Sequence, residues 1–133
     1  CGGPFGDDSN SSSSASYFVD RPNHKIKFSV FGESDEWGTL GSEPRQFLHP
    51  SALELYRSRV YVVDTGNRRI QMFGLAGDYI DEWGTRGSGD GQFDNPTAIA
   101  IYNNRVYVVD DGNRRIQMFS PEGSFILAWD IFG

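Results

Sequence analysis

The chain has almost no cysteine, no excess of basic residues and no long apolar run, and each lack removes a class of protein. One cysteine in 133 residues, Cys1, leaves no intrachain disulfide framework and no C-x-x-C pair for zinc, redox or haem chemistry. Lys and Arg number 12 against 18 Asp and Glu, giving a formal net charge of −6 and a pI near 4.7. Charge-driven binding of nucleic acid or an anionic membrane needs clustered cations, and this chain starts from the opposite sign. No apolar stretch approaches the roughly 20 residues of a membrane-spanning helix. Histidine is scarce as well. His24 and His49 fall at unlike places, whereas a zinc site wants two or three converging His or Cys ligands. No Ser–His–Asp or Cys–His arrangement stands out, and no stretch sustains the period of an amphipathic helix. Apolar and aromatic residues, at 38% and 14%, still suffice for a packed core.

What is present is repetition. Asp64-Thr65-Gly66-Asn67-Arg68-Arg69-Ile70-Gln71-Met72-Phe73 returns as Asp110-Asp111-Gly112-Asn113-Arg114-Arg115-Ile116-Gln117-Met118-Phe119, an offset of 46 residues (64 to 110). The same offset carries Phe47 to Phe93, Pro50 to Pro96, Tyr61 to Tyr107 and Trp83 to Trp129. A worn copy stands upstream, from Tyr17 to Ile26. Each repeat holds four short β-rich runs. In the second they are 51–55, 59–63, 69–73 and 78–83, and in the third 97–101, 105–109, 115–119 and 124–129. In the first, 17–19 and 26–31 stand clear. Turn-forming clusters divide them, with Gly and Asn of Asp-x-Gly-Asn-Arg expected to take the left-handed backbone of a tight hairpin. Four short antiparallel strands per repeat of about 45 residues describe a propeller blade rather than a helical solenoid. The expected fold is all-β: about three blades, 17–46 (partial), 47–92 and 93–133, preceded by 1–16 as a Ser/Gly-rich tether or a degenerate blade start. Phe5 favours the second alternative, because it precedes Tyr17 much as Phe47 precedes Tyr61.

The pattern Phe-x-x-Pro, Tyr-Val-Val-Asp-x-Gly-Asn-Arg-Arg-Ile-Gln-x-Phe and Trp-Gly-x-x-Gly resembles the NHL repeat, with Asn23-His24-Lys25-Ile26 as its Asn-His-x-Ile variant. The resemblance covers 17–133 and implies a β-propeller, usually of six blades, whose first strands line a central channel. It implies a binding role in most members, RNA recognition through a basic face in some, extracellular sensing in others, and metal-dependent lyase chemistry in a minority. The lyases need several His ligands, so their chemistry is not carried over, and no cofactor, metal or catalytic residue is expected.

The repeated residues read first as structure, because a repeat copies its packing before it copies a chemistry. The paired valines Val62-Val63 and Val108-Val109 suit strands buried on both faces. Asp64 and Asp110 are expected to accept N–H groups of their own turns, and Trp37, Trp83 and Trp129 to cover the joints between sheets. The candidate binding residues form an arc at one end of successive blades: Asp64, Asn67, Arg68, Arg69, Asp110, Asp111, Asn113, Arg114 and Arg115. Its carboxylates blunt its positive field, which disfavours nucleic acid as a partner. The Gly87–Gly91 loop and Asp110-Asp111-Gly112-Asn113 lack the spaced ligands and closing Glu of a calcium loop. Cys1 with the Gly-, Asp- and Ser-rich stretch after it resembles the start of a mature bacterial lipoprotein, so Cys1 is a candidate for lipid attachment or an intermolecular thiol. Any membrane association would run through that lipid. Asn10-Ser11-Ser12 also fits a glycosylation acceptor.

Three blades leave a six-bladed ring unfinished and two blade faces uncovered, which monomers rarely tolerate. The expectation is a non-enzymatic, extracytoplasmic, prokaryotic module for protein interaction or scaffolding. Its first partner would be itself, as a head-to-tail dimer or an open helical assembly, and its second another protein or peptide. The alternatives are a ligand- or RNA-binding piece of a longer propeller, and a piece of a lyase-like enzyme.

Overall fold

The β-branched and aromatic runs form strands where the repeat places them. The computed structural model describes residues 15–131. Cys1, the glycosylation acceptor and the Phe5 strand start lie outside the described residues.

The first sheet has three antiparallel strands, β1 (Ala15–Asp20), β2 (Lys25–Val30) and β3 (Glu33–Trp37). Two short parallel strands, β4 (Thr39–Leu40) and β5 (Gln46–Phe47), carry the chain to the second. That sheet is β6 (Ala52–Tyr56), β7 (Arg59–Asp64), β8 (Arg69–Gly74) and β9 (Tyr79–Trp83), in sequence order. The crossing repeats with β10 (Thr85–Arg86) and β11 (Gln92–Phe93). The last sheet is β12 (Pro96–Tyr102), β13 (Arg105–Asp110), β14 (Arg115–Phe119) and β15 (Phe125–Asp130). The fold is thus all-β, with two four-stranded blades and one of three strands among the described residues. The only helical turn among the described residues is a 3-10 turn, Thr65–Asn67. The bulges agree too, between Met72 and Phe73 and between Met118 and Phe119.

Blades stack face to face through two apolar layers. Blades 1 and 2 meet at Ile26, Trp37, Phe47, Val60, Val62 and Phe73. Blades 2 and 3 meet at Tyr61, Val63, Ile70 and Met72 against Phe93, Val106, Val108 and Phe119. All of β7 from Val60 to Asp64 is therefore buried, as a strand packed on both faces must be. Trp37 and Trp83 close these joints, lying under Gly77 and Gly123 of the following blade. A Cβ at Gly77, whose φ is +90, would stand 2.6 Å from the Trp37 ring.

The left-handed residue of the β7–β8 turn corrects the sequence reading. It is Arg68, at φ 54, and its counterparts are Arg114 at φ 54 and His24 at φ 57. Gly66 serves a different need: a Cβ there would come within 2.5 Å of Leu48. The glycine is required by close approach, not by backbone sign.

Candidate functional site

The turn at the end of β7 is a knot of charge that ties down the chain crossing from the previous blade. Asp64 is fully buried. Its Oδ1 accepts the backbone N–H of Leu48 at 2.8 Å. Its Oδ2 accepts from Arg69 Nε at 2.9 Å, Asn67 Nδ2 at 3.0 Å and Gln71 Nε2 at 3.2 Å. This corrects the expected Asx bond to the turn's own backbone, because the N–H it satisfies lies 16 residues upstream. Arg69, also buried, spreads its guanidinium over the carbonyls of Ser42, Glu43 and Gln46 and over Glu82 at 3.2 Å. Buried charge is tolerated here because every side is met by an opposite dipole or charge.

Blade 3 repeats the knot in looser form. Asp110, fully buried, accepts the N–H groups of Asp94 and Asn95 and the amide of Asn113. Arg115 reaches the carbonyls of Gly89 and Gln92 instead of the aspartate. Of the nine candidate residues, Asp64, Arg69 and Asp110 are therefore inside the protein, and Asn67, Asn113 and Arg115 are half-buried and engaged in the same clamps. Half-buried Arg68 donates to the carbonyl of Asp94, across the blade joint. Asp111 and Arg114 are exposed. What a partner would meet at this end is mostly Arg68, Asp111 and Arg114.

The two histidines, apart in sequence, are together in space. His49 donates its backbone N–H to His24 Nδ1 at 3.1 Å, and the ring centres lie 4.7 Å apart. The signal was in the repeat, since His24 stands at the Arg68 position and His49 at the Asn95 position, neighbours across each joint. Among the described residues no group of three or more His, Cys, Asp or Glu gathers to hold a metal ion.

A second candidate is the outer face of blade 3, one of the two uncovered blade faces expected from the repeat count. Blade 2 covers its own equivalent with blade 3, using Ala52, Tyr56, Tyr61, Val63, Ile70, Met72 and Trp83. At the 46-residue offset blade 3 carries Ala98, Tyr102, Tyr107, Val109, Ile116, Met118 and Trp129, identical at all seven positions. The exposure differs sharply. Tyr61, Val63 and Ile70 are 0% exposed and their counterparts Tyr107, Val109 and Ile116 half-buried. Tyr102 at 75% and Trp129 at 41% are exposed where Tyr56 and Trp83 are half-buried. Along β13 the burial alternates instead of being complete, the mark of a strand packed on one side only. Even the ring geometry is kept, Tyr107 on Trp129 at 6.3 Å as Tyr61 on Trp83 at 6.2 Å.

The outer face of blade 1 matches it only in part. Where Val60, Val62 and Phe73 pack in blade 2, register alignment at the two aspartates puts Ser16, Phe18 and Ser29. Phe18 is 52% exposed and, with Lys27 and Ser29, lines a shallow groove of about 410 Å3. Lys27 is paired with Asp20 at 3.1 Å, and Asp20 is held below the usual carboxylate range by the Asn23 amide first and Lys27 second.

Comparison with known proteins agrees with this geometry. A family model described as a 6-bladed beta-propeller matches residues 43–130. No curated protein sequence matches the chain. Among solved structures, a catalytically inactive virginiamycin B lyase from Staphylococcus aureus with quinupristin superposes at TM-score 0.69. It is 18% identical over 91% of this chain and 39% of its own. A protein of Bacteroides fragilis described as exported gives TM-score 0.56 at 17% identity, over 61% of this chain and 24% of its own. A functionally unknown protein from Desulfotomaculum acetoxidans gives 0.54 at 14% identity, over 79% and 35%. At such identities the likeness is one of fold. The chain spans between about a quarter and two fifths of the length of these proteins.

Proposed function

We propose, on the premise that this chain belongs to the 6-bladed beta-propeller family, that it is a non-enzymatic binding module working through the open face of its third blade. The repeats that build it are of the NHL type, on the strength of the Tyr-Val-Val-Asp-x-Gly-Asn-Arg core. One observation carries the reading: the apolar face that blade 2 packs against blade 3 is reproduced residue for residue on blade 3 and stands more exposed there. A patch of this size and composition on a folded domain marks an interaction surface.

The occupant is the first blade of a second copy. Its exposed Phe18 takes the place of Val62 and Val108, and two copies would close their faces by symmetry. Serines at 16 and 29 make this joint weaker than the internal ones, so the assembly is reversible and concentration-dependent. An extracytoplasmic setting suits the likeness to an exported protein. The lyases share the fold with this chain, and their chemistry is not assigned to it.

Acrylamide quenching of tryptophan fluorescence tests the reading. Trp37 is 3% and Trp129 41% exposed, with Trp83 half-buried in the joint between blades 2 and 3, so the most accessible fraction reports on Trp129. It should fall as protein concentration rises. A quenching profile unchanged from dilute to concentrated protein would overturn the proposal.

A further inference from the structure

Packing residues are copied between blades 2 and 3, but one groove joins copied residues (Tyr56, Arg59 and Tyr61) to others that are not. It lies at the strand ends opposite the Asp64 and Asp110 turns, between the β6–β7 turn of blade 2 and the two turns of blade 3 that face it. Its volume is about 260 Å3. Arg57, Asn104 and Glu122 line it, and the other repeat has Asn103, Ser58 and Ala76 at those places. With Pro121, which stands where the other repeat has Leu75, four departures drawn from three separate turns thus converge on one space.

The charges there are not paired with one another, although Arg59 also engages the Tyr61 side chain. Arg57 and Arg59 form no ion pair among the described residues, nor does Glu122. Arg59, half-buried, sets a guanidinium N–H 3.3 Å from the Met72 sulfur, a weak acceptor. Arg57 lies over the Tyr56 ring at 5.2 Å and sits at φ 50, a left-handed position that suits Asn103 far better than arginine. The Tyr56 hydroxyl donates to Asn104 Oδ1, which leaves the Asn104 amide as a donor beside the groove. Tyr61, bonded to the carbonyl of Pro121 at 2.8 Å, forms the floor.

We propose that this groove binds a small zwitterion of the α-amino-acid type, its carboxylate against Arg57 and Arg59 and its ammonium against Glu122. Size supports the class, since the groove is smaller than the roughly 300–1,000 Å3 of pockets for drug-sized ligands. Planar guanidinium groups match a carboxylate in shape as well as charge. The Glu122 carboxylate repels a ligand that is only anionic, which selects against inorganic phosphate.

The test is a two-dimensional amide NMR titration of the full chain with L-leucine, and in parallel with acetate, ethylammonium and inorganic phosphate. L-leucine should shift the Arg57, Ser58, Asn104 and Glu122 amides saturably, with each single-charge probe at least about tenfold weaker. Arg57→Asn and Glu122→Ala install the residues of the other repeat, so folding is not at stake, and each should weaken L-leucine binding about tenfold or more. Absence of saturable shifts with L-leucine would overturn the proposal, as would wild-type affinity in both variants. Equal affinity for acetate and L-leucine, unmoved by Glu122→Ala, would overturn it in favour of a plain anion site. None of these outcomes depends on whether two copies associate.

Discussion

Replacing Asp64 by alanine removes the acceptor at the centre of the blade 2 knot. Four donors lose an acceptor at once, the Leu48 backbone N–H, Arg69, Asn67 and Gln71, of which Asn67 keeps the Gly41 carbonyl and Gln71 the Gln46 carbonyl. Arg69 is 5% exposed and cannot turn to water, although its carbonyl partners and Glu82 remain. Breaking a buried ion pair by removing one member costs about 3–5 kcal/mol, and we expect ~4 kcal/mol here. That is a large share of the roughly 5–15 kcal/mol that holds a typical domain together. Asp110→Ala is the matched control. Its carboxylate is equally buried but takes no bond from Arg115, and its backbone donors belong to exposed Asp94 and Asn95, which water can reach. Its loss should cost only about 1–2 kcal/mol. Urea unfolding followed by tryptophan fluorescence reads both, and with a slope of about 1–3 kcal/mol per molar the midpoints of the two variants should separate by about a molar or more. Equal midpoints, or an Asp64→Ala cost below about 1 kcal/mol, would refute the view that burial of Arg69 sets the difference.

Three further outcomes follow from the same geometry. Gly77→Ala should destabilise by about 2 kcal/mol or more, because the new Cβ meets the Trp37 ring at a left-handed backbone position, and thermal melting checks it. Tyr79 is pushed up to about 12, first by burial and then by its bond to Glu82. A group whose folded pKa lies above its unfolded value of 10.0 gives stability that is complete below about pH 10 and lost as pH climbs toward 12. Stability should therefore decline over that window, and Tyr79→Phe should flatten part of the decline in urea titrations at stepped pH. Finally, Val63→Asp and Val109→Asp, the same change on covered and bare copies of one face, should part company. The first should prevent folding, while the second should leave circular dichroism and melting of dilute protein unchanged.

Much of this fold was written in the chain because the repeat was written twice. The ten expected runs came within a residue or two of the strands they name, while β3 and the short crossing strands had no run assigned. Val62-Val63 does sit between blades, whereas Val109 lies on the outer face of blade 3. The left-handed position was misplaced for a definite reason: Gly66 and Asn67 look like turn formers, but Gly66 answers to Leu48, a neighbour made only when the crossing strand folds over the turn. Asp64 was misread the same way, its partner being a backbone group of that crossing strand. Tertiary approach of this kind leaves no local pattern. The uncovered outer face of blade 3 was expected from the repeat count. The histidine pair was legible in principle, once His24 and His49 are each compared with the counterpart 44 or 46 positions away.

Light scattering of the purified chain across a wide concentration range tests most directly whether the open third-blade face is a docking face. The account predicts a mass rising from 14.9 kDa toward twice that value as concentration increases, with Val109→Asp held at the lower figure throughout. A wild-type chain that stays at 14.9 kDa and melts sharply at every concentration would contradict it.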